Sequence, residues 1–412
     1  MKKVSIVALI LVLALTFTGC TSIEQKLYNG FVKNQEIASM ESDTDITFTL
    51  EGSDFPDEQQ VILQEAINTL NNSKITMHQK AISNEDKTIA KAYMDMNMTF
   101  GDMKMPMEAL VNVDASKDNY DMVEIIKMPS EIMAMISPEA ANKEYLVYDI
   151  GEMMGETSKE VDNSKLMEFS KNLQTKYADS FKDFVKDLDI GFKMAKYKGT
   201  RSVNGKSLYL YEVKLDDANF KKLIRNMVNS SLDDEDTIKF IEDYMNAVVD
   251  IMEIPEGEEI SKDEMKAEMK EELGNLQKEL PNFKKQFNEF MDKFEDVKII
   301  GDKGIVIEYG INSDGYIVHE AGNIDLDIDL AAIVKAFGGA EETASQQTGK
   351  IKLGIEFNTK IYNINKNIKI DMPKLTEENS LRFNDLMKDT LIETEAITVE
   401  EEEPVTEEPV TE

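Results

Sequence analysis

Tryptophan, histidine and cysteine are scarce in this sequence. It has no tryptophan, two histidines and one cysteine in 412 residues. A lone cysteine excludes an internal disulfide, and two histidines leave few ways to build a Ser-His-acid triad or a zinc site. The Gly-X-Ser-X-Gly, His-Glu-X-X-His and phosphate-loop motifs are also missing. We therefore predict a protein that is not an enzyme and that needs no cofactor.

Positive charge is scarce as well. The chain has 46 lysines and arginines against 80 aspartates and glutamates, which gives a formal net charge of −34. A polyanion of this size repels the phosphates of nucleic acids and of anionic lipids. Beyond the N-terminal segment, no apolar run approaches the roughly 18 residues of a membrane-spanning helix. The composition therefore predicts no nucleic-acid partner and no spanning helix in the body of the chain.

The N-terminal segment has the pattern of a secretory signal. Met1-Lys2-Lys3 is basic, and residues 4–17 form an apolar run that is too short to span a bilayer comfortably. Phe17-Thr18-Gly19-Cys20 then places small residues directly before the cysteine. This resembles the lipobox of bacterial lipoproteins, whose cysteine becomes the lipidated N-terminus of the mature protein. Phe17 departs from the family pattern, which usually has leucine there, and an ordinary secretory signal is the alternative.

The lipobox resemblance implies a location and a partner. Lipid on Cys20, such as palmitate, would anchor the chain to a membrane, because each buried methylene contributes about 0.8 kcal/mol. Little arginine, much lysine and asparagine, and an acidic isoelectric point are typical of Gram-positive bacteria such as clostridia. The expected location is therefore the extracellular face of the cytoplasmic membrane. The sequence identifies no protein partner.

Composition divides the chain into four parts. We predict a signal peptide over 1–19, a lipidated cysteine and polar tether with one helical turn over 20–40, and an α+β domain over 41–385. The segment 393–412 is acidic and repeats Glu-Glu-Pro-Val-Thr, so it cannot bury enough apolar surface to order itself. We expect it to be a disordered tail.

Strands are predicted on both flanks of the domain. Asn204-Gly205 and the turn at 312–315 join neighbouring strands, and short turns between consecutive strands predict antiparallel pairing. The predicted strands are 45–51, 74–81, 88–100, 106–114, 120–127, 144–149, 191–198, 207–214, 303–310, 316–330, 350–358 and 360–371.

Apolar residues at three- and four-residue spacing predict amphipathic helices. One begins near Asp57, and others follow around 166–188, 220–228 and 241–252. Ser261 starts a capping box, and we expect Pro281 to end that helix before a second, phenylalanine-rich segment.

The two flanks have a similar pattern. They suggest related β-meanders at about 41–150 and 296–375 around a helical middle at 160–295. The predicted fold class is therefore α+β, with a large curved antiparallel sheet, a half-barrel, packed against amphipathic helices.

Matching strands of the two meanders carry the candidate binding residues. Alternate residues of a strand share a face, and methionine fills irregular spaces and adapts to varied partners. We expect both sets to line an apolar ligand cavity that faces the helices. The predicted lining residues are Met94, Met96, Met98, Ile324, Leu326 and Ile328.

Metal binding is the alternative reading of these strands. Spaced methionines could hold Cu(I), but the matching positions in the second meander are aliphatic. Asp325, Asp327 and Asp329 project from one side of a strand, where carboxylates lie nearly 7 Å apart in a straight strand. These aspartates are typical of a solvated outer face, and we predict no metal site.

The lipobox and this architecture together resemble the half-barrel class of lipoprotein carriers and mycobacterial lipid-binding lipoproteins, over about residues 36–385. The resemblance implies a non-enzymatic module that binds an apolar or amphipathic, lipid-like ligand between sheet and helices. The alternative is a structural or protein-interaction lipoprotein with a fully packed core.

The lipobox generates the first test. Cys20→Ala removes the thiol that would accept the lipid, so the variant should stay unprocessed or appear in the medium. Metabolic labelling with a clickable fatty acid measures this. Undiminished labelling of the variant would contradict the assignment of Cys20.

Overall fold

A computed structural model describes six segments of the chain. The predicted signal peptide, Cys20, the Asn204-Gly205 turn, the helix at 166–188 and the acidic tail lie outside them. The described residues are 22–115, 121–150, 191–203, 206–251, 261–337 and 348–386.

One twelve-stranded open sheet runs through the described residues. Its order is β12-β6-β5-β4-β3-β2-β1-β11-β10-β9-β8-β7, and every pair is antiparallel except β12 with β6. The strands are β1 (Ser39–Ser53), β2 (Lys74–Ser83), β3 (Ile89–Phe100), β4 (Met103–Asp114), β5 (Asp121–Lys127), β6 (Tyr145–Asp149), β7 (Ala195–Val203), β8 (Lys206–Leu215), β9 (Ile300–Ile311), β10 (Ile317–Asp329), β11 (Lys350–Tyr362) and β12 (Ser380–Arg382).

Two meanders build this sheet. Strands β1 to β6 form the first, strands β7 to β11 form the second, and β1 pairs with β11 to join them. This confirms the predicted α+β class and the large antiparallel sheet. The β7–β8 hairpin belongs to the second meander, so the stretch predicted as a helical middle (160–295) is not helical throughout.

The helices at 57–71, 217–233, 235–251 and 262–294 follow predicted apolar stripes, whereas those at 130–136 and 330–336 were not predicted. Pro281 lies inside a helix that continues to Phe294, although we expected it to end there. Proline removes one backbone hydrogen bond, but the later turns are held by ring contacts of Phe290 and Phe294 with Phe337, at the end of a neighbouring helix. The helices are α1 (Ser22–Gln35), α2 (Asp57–Asn71), α3 (Ser130–Ile136), a 3₁₀ turn (Pro138–Asn142), α4 (Asp217–Asp233), α5 (Glu235–Ile251), α6 (Lys262–Phe294) and α7 (Leu330–Ala336).

The helix caps use the expected residues. Ser261 and Glu264 form the predicted capping box at the start of α6. The acidic run between α4 and α5 also acts as a cap, because the Asp234 carboxylate accepts the backbone N–H of Thr237 at 2.8 Å. None of the described helices is long and apolar enough to cross a membrane.

The prediction for residues 22–40 was wrong. A polar tether with one helical turn was predicted, but α1 has 14 residues and Leu27 is only 4% exposed within the main core. Phe31 packs edge-on against Tyr309, with ring centroids 5.2 Å apart. The apolar residues of α1 recur at four-residue spacing, so this short stripe was enough to dock the helix on the sheet.

The end of β11 differs from the prediction as well. A second strand was expected at 360–371, but β11 runs without a break from Lys350 to Tyr362. Asn363 and Asn365 then adopt positive φ angles of 52° and 54°, which stop the strand. Asparagine tolerates this conformation better than most residues, so the chain leaves the sheet here.

The cross-strand register defines two faces of the sheet, because directly paired residues project from the same side. We call the side that carries Ile324 and Leu326 the inner face. There they pack against the main core cluster, which includes Leu223 and Met227 of α4. A smaller cluster surrounds Met133 at the other end of the sheet.

The position of α1 gives a stability test. Leu27→Ala should lower the free energy of unfolding by about 2–5 kcal/mol, because it leaves a cavity between α1 and the sheet. Val32 lies on the same helix but is 37% exposed, so Val32→Ala should change it by only about 0.5 kcal/mol. Urea unfolding followed by circular dichroism measures both. Equal, small effects would mean that α1 does not belong to the folded domain.

Candidate functional site

The predicted methionines lie on the inner face of β3. Met94, Met96 and Met98 are all half-buried. Met96 pairs with Met77 of β2 on one side and with Met107 of β4 on the other. Three methionine side chains therefore lie side by side on three neighbouring strands. The spacing within β3 alone did not predict this arrangement.

The second set of predicted residues lies on the same inner face, but on a strand far from the methionines. Ile324, Leu326 and Ile328 lie on β10, opposite Ile355, Leu353 and Ile351 of β11. Four inter-strand spacings of about 4.8 Å separate β10 from β3, or about 19 Å along the sheet. Ile324 and Leu326 pack against the main core. The structure therefore places the six residues in two patches and assigns Ile324 and Leu326 to the core.

A cavity of about 230 Å³ opens beside the methionines. The six predicted residues are not among those that line it. Its floor belongs to the same inner face, where Ala90 and Ala92 directly precede Met94 on β3. Alanines at alternate positions were the signal for this space, since small side chains leave room above a sheet. The cavity is lined in part by Asn34, Met40, Ala81, Ala90, Ala92 and Val111.

A polar row crosses the inner face between the two patches. The hydroxyls of Thr44 and Thr359 are hydrogen-bonded at 2.9 Å, and Glu320 of β10 pairs with Thr359 on one side and with Tyr309 on the other. Burial raises the pKa of the Glu320 carboxyl and also that of the Tyr309 phenol. Glu320 has no distinguishing signal in the sequence, because it is one of 80 acidic residues.

The outer face is charged and solvated on β1, β2 and β10, whereas on β4, β5 and β6 it carries the buried residues Leu110, Ile125 and Val147. The carboxylate of Asp43 lies 2.8 Å from Nδ1 of His78. Asp327 and Asp329 pair with Lys298 and Lys350, while the Asp325 carboxylate accepts the backbone N–H of Lys303. No group of three His, Cys, Asp or Glu side chains in the described segments is arranged to hold a metal ion. The aspartates of β10 therefore have lysine and backbone partners, as expected for a solvated face.

Apolar contact is the chemistry that this arrangement offers. Every inner-face side chain of β2, β3 and β4 keeps part of its surface exposed, so the first meander presents a shallow apolar floor. The second meander differs, because α1 and α4 contribute to a closed core there. No protein-family model and no curated protein matches this chain.

A metal titration tests whether the row of methionines binds Cu(I). We expect no stoichiometric Cu(I) binding under anaerobic conditions, because an apolar floor accounts for these positions without ligation. Competition with a chromophoric chelator measures it. Met94→Leu combined with Met96→Leu should fold like the parent chain. Tight binding that this double variant abolishes would instead identify a thioether metal site.

Proposed function

We propose that the chain is a membrane-anchored extracytoplasmic lipoprotein that binds an apolar or amphipathic, lipid-like ligand and catalyses no reaction. The observation that carries the proposal is the unequal cover of the inner face. Inner-face side chains of β8 and β9, such as Val213 and Ile305, are buried in the main core, whereas those of β10 and β11 are only half-buried. The methionine-rich floor of the first meander is likewise half-buried, and it lies beside a cavity. Apolar surface that a fold leaves partly exposed is typical of binding sites.

The residue types on this floor support the proposal. Methionine has three rotatable bonds and a polarizable sulfur, so it can follow ligands of different shape. A site built for one rigid packing arrangement would favour branched aliphatic side chains, as at Ile324 on β10. Small alanines next to the methionines leave the space that a ligand needs.

The proposed anchor is compatible with this geometry. Helix α1 begins at Ser22, close to Cys20 in the sequence, and packs on the inner face through Leu27. Lipid on Cys20 would therefore hold the domain to the membrane through a helix that is part of its core. The net charge of −34 favours a domain that stands away from anionic headgroups.

A structural or protein-interaction lipoprotein with a packed interior remains the second candidate. The closed core beneath α1 and α4 favours it. The two candidates differ in what a charge on the methionine floor would do, and β3 offers a matched pair of positions for that comparison. Met96 faces inward and is half-buried, while its neighbour Asn97 faces outward and is exposed.

Met96→Asp is the decisive substitution. On an open floor it should leave the fold intact and weaken binding of Nile red, a neutral apolar dye, by at least about tenfold, since the charge must be desolvated when the dye binds. Dye fluorescence and thermal unfolding measure the two effects. Asn97→Asp, the control, should change neither.

Two outcomes would contradict the proposal. Unfolding of the Met96→Asp variant would show that the position is packed, because an unpaired charge in a closed core costs several kcal/mol. A parent chain that binds no dye and yields no organic-extractable lipid on mass spectrometry would exclude a carrier function.

A further inference from the structure

Glu320 is a carboxylate at the boundary of the main core, between buried Tyr309 on β9 and half-buried Thr359 on β11. It lies on the inner face of β10 and is half-buried. Within the described segments, its side chain makes no hydrogen bond and no ion pair, and desolvation alone raises its pKa. A charged group that loses water without gaining a partner is unfavourable. A cationic ligand group could supply the missing partner.

The sheet itself provides no cation near Glu320. Paired residues share a face, so the register assigns each lysine of β2, β3, β4, β5 and β11 to the outer face. These lysines are Lys74, Lys80, Lys91, Lys104, Lys127, Lys350, Lys352 and Lys360. The inner face of these strands therefore carries the Glu124 carboxylate and no ammonium group, and Glu320 on β10 lies on the same face. Lys91 is among the residues that line the cavity, but the register places it on the outer face.

Glu320 also shares a transverse row with the methionines. Thr359 and Thr44 follow it on β11 and β1, and Met77 and Met96 follow on β2 and β3. One end of the row is therefore acidic, its middle carries two hydroxyls, and its other end is apolar. The ends lie about 19 Å apart along the sheet, which is the scale of a long alkyl chain with its head group.

We infer that the inner face binds a single-chain amphiphile with a cationic head group, whose ammonium lies at the Glu320 carboxylate and whose chain lies along Met77 and Met96. This inference rests on the proposed function and narrows it to one class of ligand. An ammonium would form the charge-assisted contact that Glu320 lacks. An anionic head group would meet the same carboxylate, on a chain with a net charge of −34, and would be repelled.

Head groups on a constant chain test this directly. Dodecylammonium, dodecanol and dodecanoate, each below its micelle concentration, compete with Nile red for the full chain carrying Cys20→Ala, so that no attached lipid interferes. Dodecylammonium should displace the dye at a concentration at least about tenfold lower than dodecanoate, with dodecanol between them.

Two substitutions separate the carboxylate from its surroundings. Glu320→Gln keeps the shape and removes the charge, so it should bring the three amphiphiles to similar affinity. It should raise the melting temperature slightly, because the neutral amide avoids the cost of desolvating a charge. Glu356→Gln is the control, because Glu356 lies exposed on the outer face of the adjacent strand. It should preserve the preference for the ammonium.

The outcomes distinguish this inference from the proposed function. Equal displacement by all three amphiphiles in the parent chain, or a preference that survives Glu320→Gln, would overturn the head-group assignment and leave apolar binding standing. Failure of the parent chain to bind Nile red at all would overturn the proposed function, and the inference with it.

Discussion

The pairing of β1 with β11 is the contact on which the rest of the structure depends. It extends from Glu41 opposite Tyr362 to Ser53 opposite Lys350, and it joins two meanders that are otherwise separate along the chain. Without it the sheet would have two more open edges, each with unpaired backbone groups. The same register places Thr44 beside Thr359 and so continues the inner face from one meander to the other. The candidate site is a product of this long-range contact.

The two halves of the inner face have different physical roles. Strands β8 and β9 of the second meander are covered by α1 and α4, and their side chains form a closed core in which Ile305 lies with Leu223 of α4. On the inner face of the first meander, the methionines and alanines keep part of their surface exposed to solvent. A fold can keep such an apolar floor open only if its stability comes from elsewhere. The closed core contributes that stability, while the methionine floor stays partly exposed.

Many of the strands and helices could be predicted, because the local periodicity of apolar residues indicates them. The strands around Met94 and Ile324 and the capping box at Ser261 follow from alternation, spacing and side-chain hydrogen bonding over a few residues. The errors arose where tertiary contacts outweighed local signals. The stripe of α1 is short, and Pro281 was expected to end a helix whose later turns are held by Phe337.

The sequence by itself determined the fold class, the polarity of the faces of β3 and β10 and the absence of familiar catalytic motifs, since these depend on residue type and near spacing. Only the tertiary structure decided which strands are neighbours, and therefore which side chains meet. Met77, Met96 and Met107 came together through register, and Glu320 joined their row through strands far apart in the chain. The reason is physical: alternation fixes the face on which a side chain lies, whereas long-range hydrogen bonding fixes its partners across the sheet.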